Sequence, residues 1–343
     1  MRRSATAVYR CPYTKEPLAL DPTGGAAGED VAAGRLVSGS GRAYAVEGGI
    51  PYLIDLNDEL FCEEEKQENA YYQASYQGYD AVLDWVFESF REDERTVRGK
   101  MVDLLELKPG SKVLETGAGT CRDSVHIAER LGAGGELYVQ DLSSHMLKLG
   151  RERVAAAARP DGPRVEFSVG NAANLPFPDG HFDAAFHFGG LNLFTDKTKA
   201  IAEMARVVRV GGKVVFGDEG VAPWLRGTPH GKVLMNSSKL YCYAPPLECL
   251  PETARDAGVR WLLGSAYYVV DFRVGEGAPY LDLDLPIRGR RGGTHRSRYY
   301  GVMEGVTVEA KHLAEEAAAR AGLSIHDWLD RAVRAAAAQT KAA

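Results

Sequence analysis

The first residues with evident chemistry lie in the stretch VLETGAGTC (Val113 to Cys121), where an apolar run ends in an acid and a glycine-rich turn. Bare glycine backbone lets a ligand approach closely, and a helix that begins after such a turn presents unpaired N–H groups to it. A dinucleotide site uses a similar turn, but Arg122 stands where the third glycine of G-x-G-x-x-G is required. The turn therefore predicts a ligand site and weakens the case for pyrophosphate binding.

Two later polar residues follow apolar segments in the same way. Asp141 ends ELYVQD, 22 residues after Gly119, and its carboxylate can accept both hydroxyls of a ribose. Asn171 follows RVEFSVG, and a side-chain amide there can pair with the donor and acceptor edge of adenine. An adenosine or a dinucleotide would satisfy both residues, so they indicate a ligand that contains a nucleoside.

Taken in order, four motifs resemble the class I S-adenosylmethionine-dependent methyltransferases of the UbiE type. The motifs are the E-x-G-x-G turn, Asp141, the run NAANLPFPDGHFD and the segment EMARVVRVGGKVVFGDE. The resemblance covers roughly Met101 to Val274 and implies S-adenosylmethionine as the cofactor. Carried over by position, it implies that the methionine part is held by Glu115, Gly117, Ala118 and Gly119, the ribose by Asp141, and the adenine by Leu142, Asn171 and Ala172. Met146 and His187 complete the implied cofactor-binding set.

The chemistry of that family is direct displacement at a sulfonium methyl group, which needs alignment and a dry pocket. A base is needed only when the acceptor must lose a proton. His187, at the end of the predicted fourth strand FDAAFHF, is the first candidate base because histidine titrates near working pH. It could equally pack against the cofactor or order the loop GGLNLF that follows. Tyr76 is a second candidate catalytic residue.

Candidates for acceptor binding come from three other regions. Tyr72 and Tyr79 belong to a tyrosine cluster that either covers the site as a lid or attaches its helix to the sheet. His230 lies between strand five and the next helix. Arg296 and Arg298 lie in an arginine-rich loop that either clamps a carboxylate or phosphate or is a solvated surface loop.

These residues need a scaffold in which strand ends meet, and the chain alternates strands with helices from Lys112 onward. Such alternation is typical of a parallel sheet covered by helices on both faces. We predict an α/β fold with a Rossmann-like, seven-stranded, mostly parallel sheet over 101–275, preceded by a helical lid or linker over 58–100. The sheet closes with a hairpin in GVRWLLGSAYYVVDFRVG, and the preceding LPETARDAG is predicted as a helix.

Residues 1–57 are predicted as a small β-rich domain that resembles the zinc-ribbon-like domains of the Trm112 type. Thr14 stands at the position that would partner Cys11, and one thiolate cannot form a tetrahedral metal site. We therefore expect a degenerate scaffold without metal. The five scattered cysteines contain no Cys-x-x-Cys pair and indicate mostly reduced thiols.

Residues 276–343 are predicted as the arginine-rich loop and a helical appendage. The tail resembles the strand-helix-helix of small ribbon-helix-helix DNA-binding dimers. The outward strand positions include Thr307 and Glu309, which do not suit base readout, so nucleic-acid binding is not expected. A homodimer formed through the apolar helices is the expected assembly.

Composition narrows the partners further. The 343 residues are 45% hydrophobic and carry a net charge of -6 at pH 7, which gives no electrostatic reason to expect nucleic acid or an anionic membrane. No apolar run reaches membrane-spanning or signal-peptide length, so we expect a cytoplasmic protein.

The expected function is methyl transfer to a small-molecule acceptor, in natural product biosynthesis. Two alternatives stay open, a cofactor-binding enzyme that catalyses a cyclisation or elimination, and a ligand-sensing DNA-binding regulator.

Overall fold

A computed structural model describes residues 1–21, 28–54, 63–300 and 306–342. Within these ranges it describes all side chains except those of 63–69, 71–77, 300, 341 and 342. The chain forms two compact units, Met1–Pro279 and Tyr280–Ala343. Within the described residues, no helix combines the length and the apolar character needed to cross a membrane.

The described strands all belong to the first unit, and both units contain helices. The strands are β1 (Leu18–Leu20), β2 (Gly34–Ser38), β3 (Ala43–Glu47), β4 (Ile50–Leu53), β5 (Lys112–Thr116), β6 (Glu136–Asp141), β7 (Arg164–Gly170), β8 (Phe182–Phe188), β9 (Val208–Glu219), β10 (Ala254–Leu262) and β11 (Tyr267–Val274). The helices of the first unit are α1 (Glu63–Phe90), α2 (Glu94–Asp103), α3 (Arg122–Leu131), α4 (Ser144–Ala156), α5 (Lys197–Val207) and α6 (Pro229–Ser237). Those of the second unit are α7 (His295–Tyr300), α8 (Val308–Arg320) and α9 (Ile325–Ala342).

The strands form one mixed sheet in the order β1-β2-β3-β4-β7-β6-β5-β8-β9-β11-β10. The six strands from β4 to β9 in this order are parallel, while β1 to β4 and the β9-β11-β10 edge pair antiparallel. The predicted α/β class is therefore confirmed. Among the described residues the sheet has eleven strands, of which β5 to β11 lie in the predicted core 101–275 and β1 to β4 come from residues 1–57. The parallel strands bring their carboxyl ends to one edge, where loops can build a ligand site.

Residues 1–57, predicted as a small separate domain, lie in the same compact unit as the central sheet, and β4 extends that sheet. Tyr52 and Leu53 pair in parallel with Val169 and Gly170 of β7. An unpaired strand edge exposes a row of backbone donors and acceptors, and β4 covers the carboxyl end of β7. The N-terminal strands therefore continue the sheet beyond β7.

Helices cover both faces of the sheet because successive strand residues point to opposite sides. In β5, Val113 belongs to the apolar core that contains Ile127 of α3. Leu114, the next residue, belongs to the core that contains Ile201 of α5. The α2, α3 and α4 helices thus share one face, and α5 lies on the other.

Two predicted elements take a different form in the structure. The predicted helix LPETARDAG contributes instead to β10, because Ala254 and Arg255 pair with Val274 and Arg273 of β11. The strand expected at the start of the C-terminal tail is helical from Val308, and Thr307 caps that helix. Capping by the threonine side chain satisfies backbone N–H groups that a strand would pair with a second chain.

Candidate active site

A cleft opens at the carboxyl ends of β5, β6, β7 and β8. Together with the open space at its mouth, the cleft has a volume of about 930 Å³. Eight predicted cofactor-binding residues line it, namely Gly117, Gly119, Asp141, Leu142, Met146, Asn171, Ala172 and His187. These eight residues, from Gly117 to His187 in the sequence, therefore meet in one place.

The glycine turn after β5 forms one wall of the cleft. Gly117 and Gly119 have φ angles of +62° and +54°, a left-handed conformation that disfavours other residues. A Cβ atom on Gly117 would lie 2.7 Å from Cε1 of His187, so the absence of a side chain there is also a packing requirement. The turn is fixed to β6 because Ala118 N donates to Gln140 O at 3.1 Å.

Asp141 ends β6 with both carboxylate oxygens held by backbone donors. Oδ2 accepts from Gly119 N and Oδ1 accepts from Ser143 N, each at 2.7 Å. Burial raises the pKa of Asp141, against the opposing effect of these backbone hydrogen bonds. The carboxylate is thereby fixed between the glycine turn and the start of α4, and it faces the cleft.

Glu115 and Ala118, predicted with the glycines to hold the methionine part, are not among the residues that line the cleft. Glu115 is only 2% exposed, and its carboxylate accepts a hydrogen bond from the Ser124 hydroxyl in α3. Burial, reinforced by the charge of Asp123, raises the pKa of Glu115 well above its usual range. Glu115 therefore ties the strand to the helix that follows the turn, and its predicted role toward the methionine part stays a prediction.

The turn after β7 also lines the cleft. Its residues Asn171 and Ala172 are lining residues, as is Leu142 after β6. The Asn171 side-chain oxygen accepts from Ala173 N at 2.8 Å, which caps the short helical turn that follows. The Asn171 side-chain oxygen is therefore already used within its own turn. The backbone of this turn is a second possible hydrogen-bonding partner for an adenine ring.

His187 in β8 is 1% exposed and lines the cleft. Its Nδ1 lies 2.7 Å from Thr116 O, and since a carbonyl only accepts, Nδ1 carries the proton. Nε2 is buried and has no hydrogen-bond partner among the described residues. Burial lowers the pKa of His187 to about 4, so the ring is neutral at physiological pH with its lone pair on Nε2.

The other predicted site residues lie in different environments. Tyr79 of α1 lines the cleft. The side chains of Tyr72 and Tyr76 lie outside the described residues. His230 is exposed at the start of α6 and does not line the cleft.

The predicted arginine pair belongs to the second unit. Arg296 pairs with Asp284 at 3.0 Å, and Arg298 donates to Gly292 O at 2.9 Å. Both guanidinium groups thus have partners within their own loop. Their predicted role in acceptor binding stays a prediction.

Sequence reasoning missed several lining residues in loops. Leu193 and Phe194 line the cleft, and the Phe194 ring lies 5.0 Å from the His187 ring. The signal was present in GGLNLF, where two large apolar residues follow a glycine pair directly after a strand. Gly170, Ser143 and Ala173 offered no such signal.

Among the described residues, no group of three His, Cys, Asp or Glu side chains is arranged to hold a metal ion. Cys11, in the predicted degenerate zinc-ribbon segment, is buried in an apolar core with its sulfur 3.1 Å from Tyr44 Oη. Cys11, Cys121, Cys242 and Cys249 are free thiols.

A parallel sheet with a glycine turn after one strand and a fixed carboxylate after the next defines an α/β protein with a nucleoside-type site. Residues 62–219 match the ubiE/COQ5 methyltransferase family. The chain is 33% identical over 171 residues to the ubiquinone/menaquinone biosynthesis C-methyltransferase UbiE of Chromobacterium violaceum, covering 44% of this chain and 68% of that protein. The chain therefore belongs to the ubiE/COQ5 methyltransferase family.

Other relatives match over a smaller share of their length. The UbiE protein of Bordetella parapertussis is 32% identical over 176 residues, which cover 45% of this chain and 65% of that protein. The demethylmenaquinone methyltransferase of Lysinibacillus sphaericus is 40% identical over 118 residues, which cover 34% of this chain and 48% of that protein.

S-adenosylmethionine is the cofactor that the family indicates, and the cleft fits it. Gly117 and Gly119 leave open backbone, and the Asp141 oxygens can each accept a further hydrogen bond from a ribose hydroxyl. His187 lines the same cleft, and its buried Nε2 has no hydrogen-bond partner among the described residues.

Proposed function

We propose that this protein transfers a methyl group from S-adenosylmethionine to a small organic acceptor. The observation that carries the proposal is the Asp141 carboxylate, which is fixed by Gly119 N and Ser143 N in the cleft at the strand ends. Family membership supports the same activity.

Each part of the cofactor has a proposed place. The glycine turn at Gly117 and Gly119 would hold the methionine part, and Asp141 would hold the ribose hydroxyls. The adenine would lie against Leu142 and Ala172. When bound, S-adenosylmethionine supplies a sulfonium methyl group that an aligned nucleophile can attack.

His187 is proposed to act on the acceptor rather than on the cofactor alone. Its Nδ1 proton is committed to Thr116 O, so only Nε2 can accept a proton or a hydrogen bond. With its pKa lowered to about 4, the ring accepts a hydrogen bond from an acceptor hydroxyl and takes the proton fully only as the transition state develops. The proposed role is therefore to orient and polarise the nucleophile.

The acceptor is proposed from the names of the relatives. Both UbiE relatives are C-methyltransferases of ubiquinone/menaquinone biosynthesis, so a ring carbon of a quinol-type acceptor is the first to test. Natural product biosynthesis, the setting expected from the sequence, is part of the proposal. The chain spans 65% of the length of the Bordetella parapertussis relative.

The first experiment is calorimetric titration of the protein with S-adenosylmethionine and S-adenosylhomocysteine. We expect binding by the wild type and a loss of at least tenfold in affinity for Asp141→Ala, because the variant removes both acceptor oxygens. Asp161→Ala is the matched control, since Asp161 is an exposed acid that pairs with Arg159 outside the cleft. Wild-type protein that binds neither compound would contradict the proposal.

We further propose that the protein is a homodimer formed through α9. Ile325, Leu329 and Val333 recur every four residues on this helix and are 36–44% exposed. The buried residues of α8 are only Ala314 and Ala318, so the two-helix hairpin has little core of its own.

We also propose that residues 1–57 are a degenerate relative of the Trm112-type zinc-ribbon-like domains.

A further inference from the structure

An ion-pair cluster attaches α1 to the glycine turn of the cleft. Asp80 of α1 accepts through Oδ1 from Thr120 Oγ1 at 2.7 Å and from Arg122 Nε at 3.1 Å. Its Oδ2 accepts from Arg153 Nη2 at 2.5 Å. One carboxylate therefore joins α1 to the turn, to the first residue of α3 and to α4.

The partners of Asp80 are themselves fixed. Arg122 is 12% exposed and also pairs with Asp84 at 2.6 Å and Glu94 at 2.8 Å. Arg153 also donates to Thr120 O. Arg122 occupies the position where a dinucleotide-binding turn has its third glycine, and here its guanidinium group pairs with Asp80, Asp84 and Glu94.

Tyr79, the neighbour of Asp80, lines the cleft from above the same turn. A Cβ on Gly119 would lie 3.8 Å from Tyr79 Cε1, so the ring covers the bare backbone of the turn. Burial raises the pKa of Tyr79, and the nearby charges of Glu219 and Asp141 add to that effect. Successive residues of a helix point about 100° apart, so Asp80 can bind the turn while Tyr79 faces the cleft.

We propose that Asp80 is a positioning residue that holds Tyr79 over the cofactor site. Its bonds to Thr120, Arg122 and Arg153 fix the height and rotation of α1, and Tyr79 then closes the cleft over Gly119. The affinity for the cofactor depends on Asp80 through Tyr79, although the Asp80 side chain does not line the cleft. This inference rests on the proposed function insofar as it concerns the cofactor.

A double-mutant cycle on the full-length protein tests this dependence. The affinity for S-adenosylhomocysteine is measured by calorimetry for the wild type, Asp80→Ala, Tyr79→Ala and the double variant. We expect Asp80→Ala to weaken binding about tenfold in the wild-type background and less than twofold when Tyr79 is already alanine. Equal losses in both backgrounds, or no loss in the first, would overturn the proposal.

A second measurement keeps the test independent of the cofactor. Hydrogen–deuterium exchange of the ligand-free protein should be faster across residues 79–90 in Asp80→Ala than in the wild type. Glu88→Ala is the matched control because Glu88 is an exposed acid on the same helix, and it should leave the exchange unchanged. Unchanged exchange in Asp80→Ala would overturn the anchoring role even if no cofactor bound, whereas failure of the wild type to bind S-adenosylhomocysteine would contradict the proposed function alone.

A purely structural role gives a different pattern. In that case Asp80→Ala would lower the unfolding temperature while leaving the affinity for S-adenosylhomocysteine within twofold of the wild type. Asp80→Asn keeps an acceptor oxygen for Thr120 but loses the charge that faces Arg122 and Arg153. We expect the affinity of Asp80→Asn for S-adenosylhomocysteine to lie between those of the wild type and Asp80→Ala. An affinity as weak as that of Asp80→Ala would mean that only the charge of Asp80 matters.

Discussion

At the scale of single residues, His187 and Gly117 depend on each other. The His187 ring occupies the space that a side chain at Gly117 would need, and its Nδ1–H donates to Thr116 in the strand that leads to the turn. The ring is thus held by packing and by one hydrogen bond while Nε2 remains an acceptor. A residue held in this way has a fixed tautomer, which is what a hydrogen-bond acceptor for a nucleophile requires.

Burial of His187 should make the stability of the protein fall in mild acid. The pKa is about 4 in the folded protein, below the unfolded value of about 6.5, so the unfolded chain takes up the proton first as the pH falls. The stability that neutral His187 contributes is present above about pH 6.5 and is lost towards pH 4. Between pH 7.5 and pH 5 we expect wild-type protein to lose about 2 kcal/mol more than His187→Gln, by urea unfolding.

The comparison with His187→Gln is necessary because other buried groups act in the opposite direction. Burial raises the pKa of Glu115, Asp141 and Asp218, so these carboxyls favour the folded state at low pH and lose that contribution as the pH rises through their folded pKa values. They are present in both proteins and cancel in the difference. Parallel pH profiles for the two proteins would show that His187 is not buried in the neutral form.

At the scale of elements, β4 connects the N-terminal segment to the apolar core of the first unit. Ile50 is 2% exposed and belongs to the apolar core that contains Val113 of β5 and Ile127 of α3. Ile50→Ala should therefore destabilise the first unit by about 2–5 kcal/mol, the usual cost of such a cavity. Tryptophan fluorescence during urea unfolding checks this, because Trp85, Trp224, Trp261 and Trp328 all lie outside residues 1–57.

Glu47→Ala is the control for that measurement, since Glu47 is an exposed residue of the adjacent β3. It should leave the fluorescence transition within about 0.5 kcal/mol of the wild type. If Ile50→Ala also left the transition unmoved, the N-terminal strands would unfold independently of the tryptophan-containing part, and the single-sheet description would be wrong.

Elements marked by local sequence patterns could be predicted, and elements fixed by distant contacts could not. The strand-helix alternation after Lys112 and the motif that includes Gly117 and Asp141 are local patterns, so β5 to β9 and the polar ends of the cleft follow from them. Pairing of β4 with β7 joins residues more than 100 positions apart and leaves no local mark. Ala254 and Arg255 have helix-forming character, but pairing with β11 decided their conformation, as tertiary context often does.

The candidate site shows the same division between local and long-range information. Asp141 is at the end of a strand and could be placed from the sequence, whereas the inward or outward direction of Glu115 depended on the packing of α3. Asp80 offered no motif, because its partners Thr120, Arg122 and Arg153 lie 40 or more residues away in the chain. Contacts of this kind come only from the folded structure.

At the scale of the whole molecule, the proposed homodimer depends on the second unit. On α9 the acids Asp327 and Asp330 lie near the start, and the bases Arg331 and Arg334 follow. Antiparallel packing of two copies of α9 would place acids opposite bases and cover the apolar stripe at Ile325, Leu329 and Val333. This charge pattern and the small internal core of the α8–α9 hairpin favour a second copy of the chain as the covering partner.

Light scattering coupled to size-exclusion chromatography tests this assembly on the full-length protein. We expect twice the mass of one chain for the wild type and the mass of one chain for Leu329→Glu, because a charge in the apolar stripe cannot be buried without a partner. Ala338→Glu adds the same charge on the opposite side of α9, half a turn away from Leu329, and should leave the dimer intact. If the wild type has the mass of one chain, the exposed stripe is covered in some other way and the dimer proposal fails. If both variants dissociate, the effect is not specific to the stripe at Ile325, Leu329 and Val333. The proposal that this stripe forms the interface then fails.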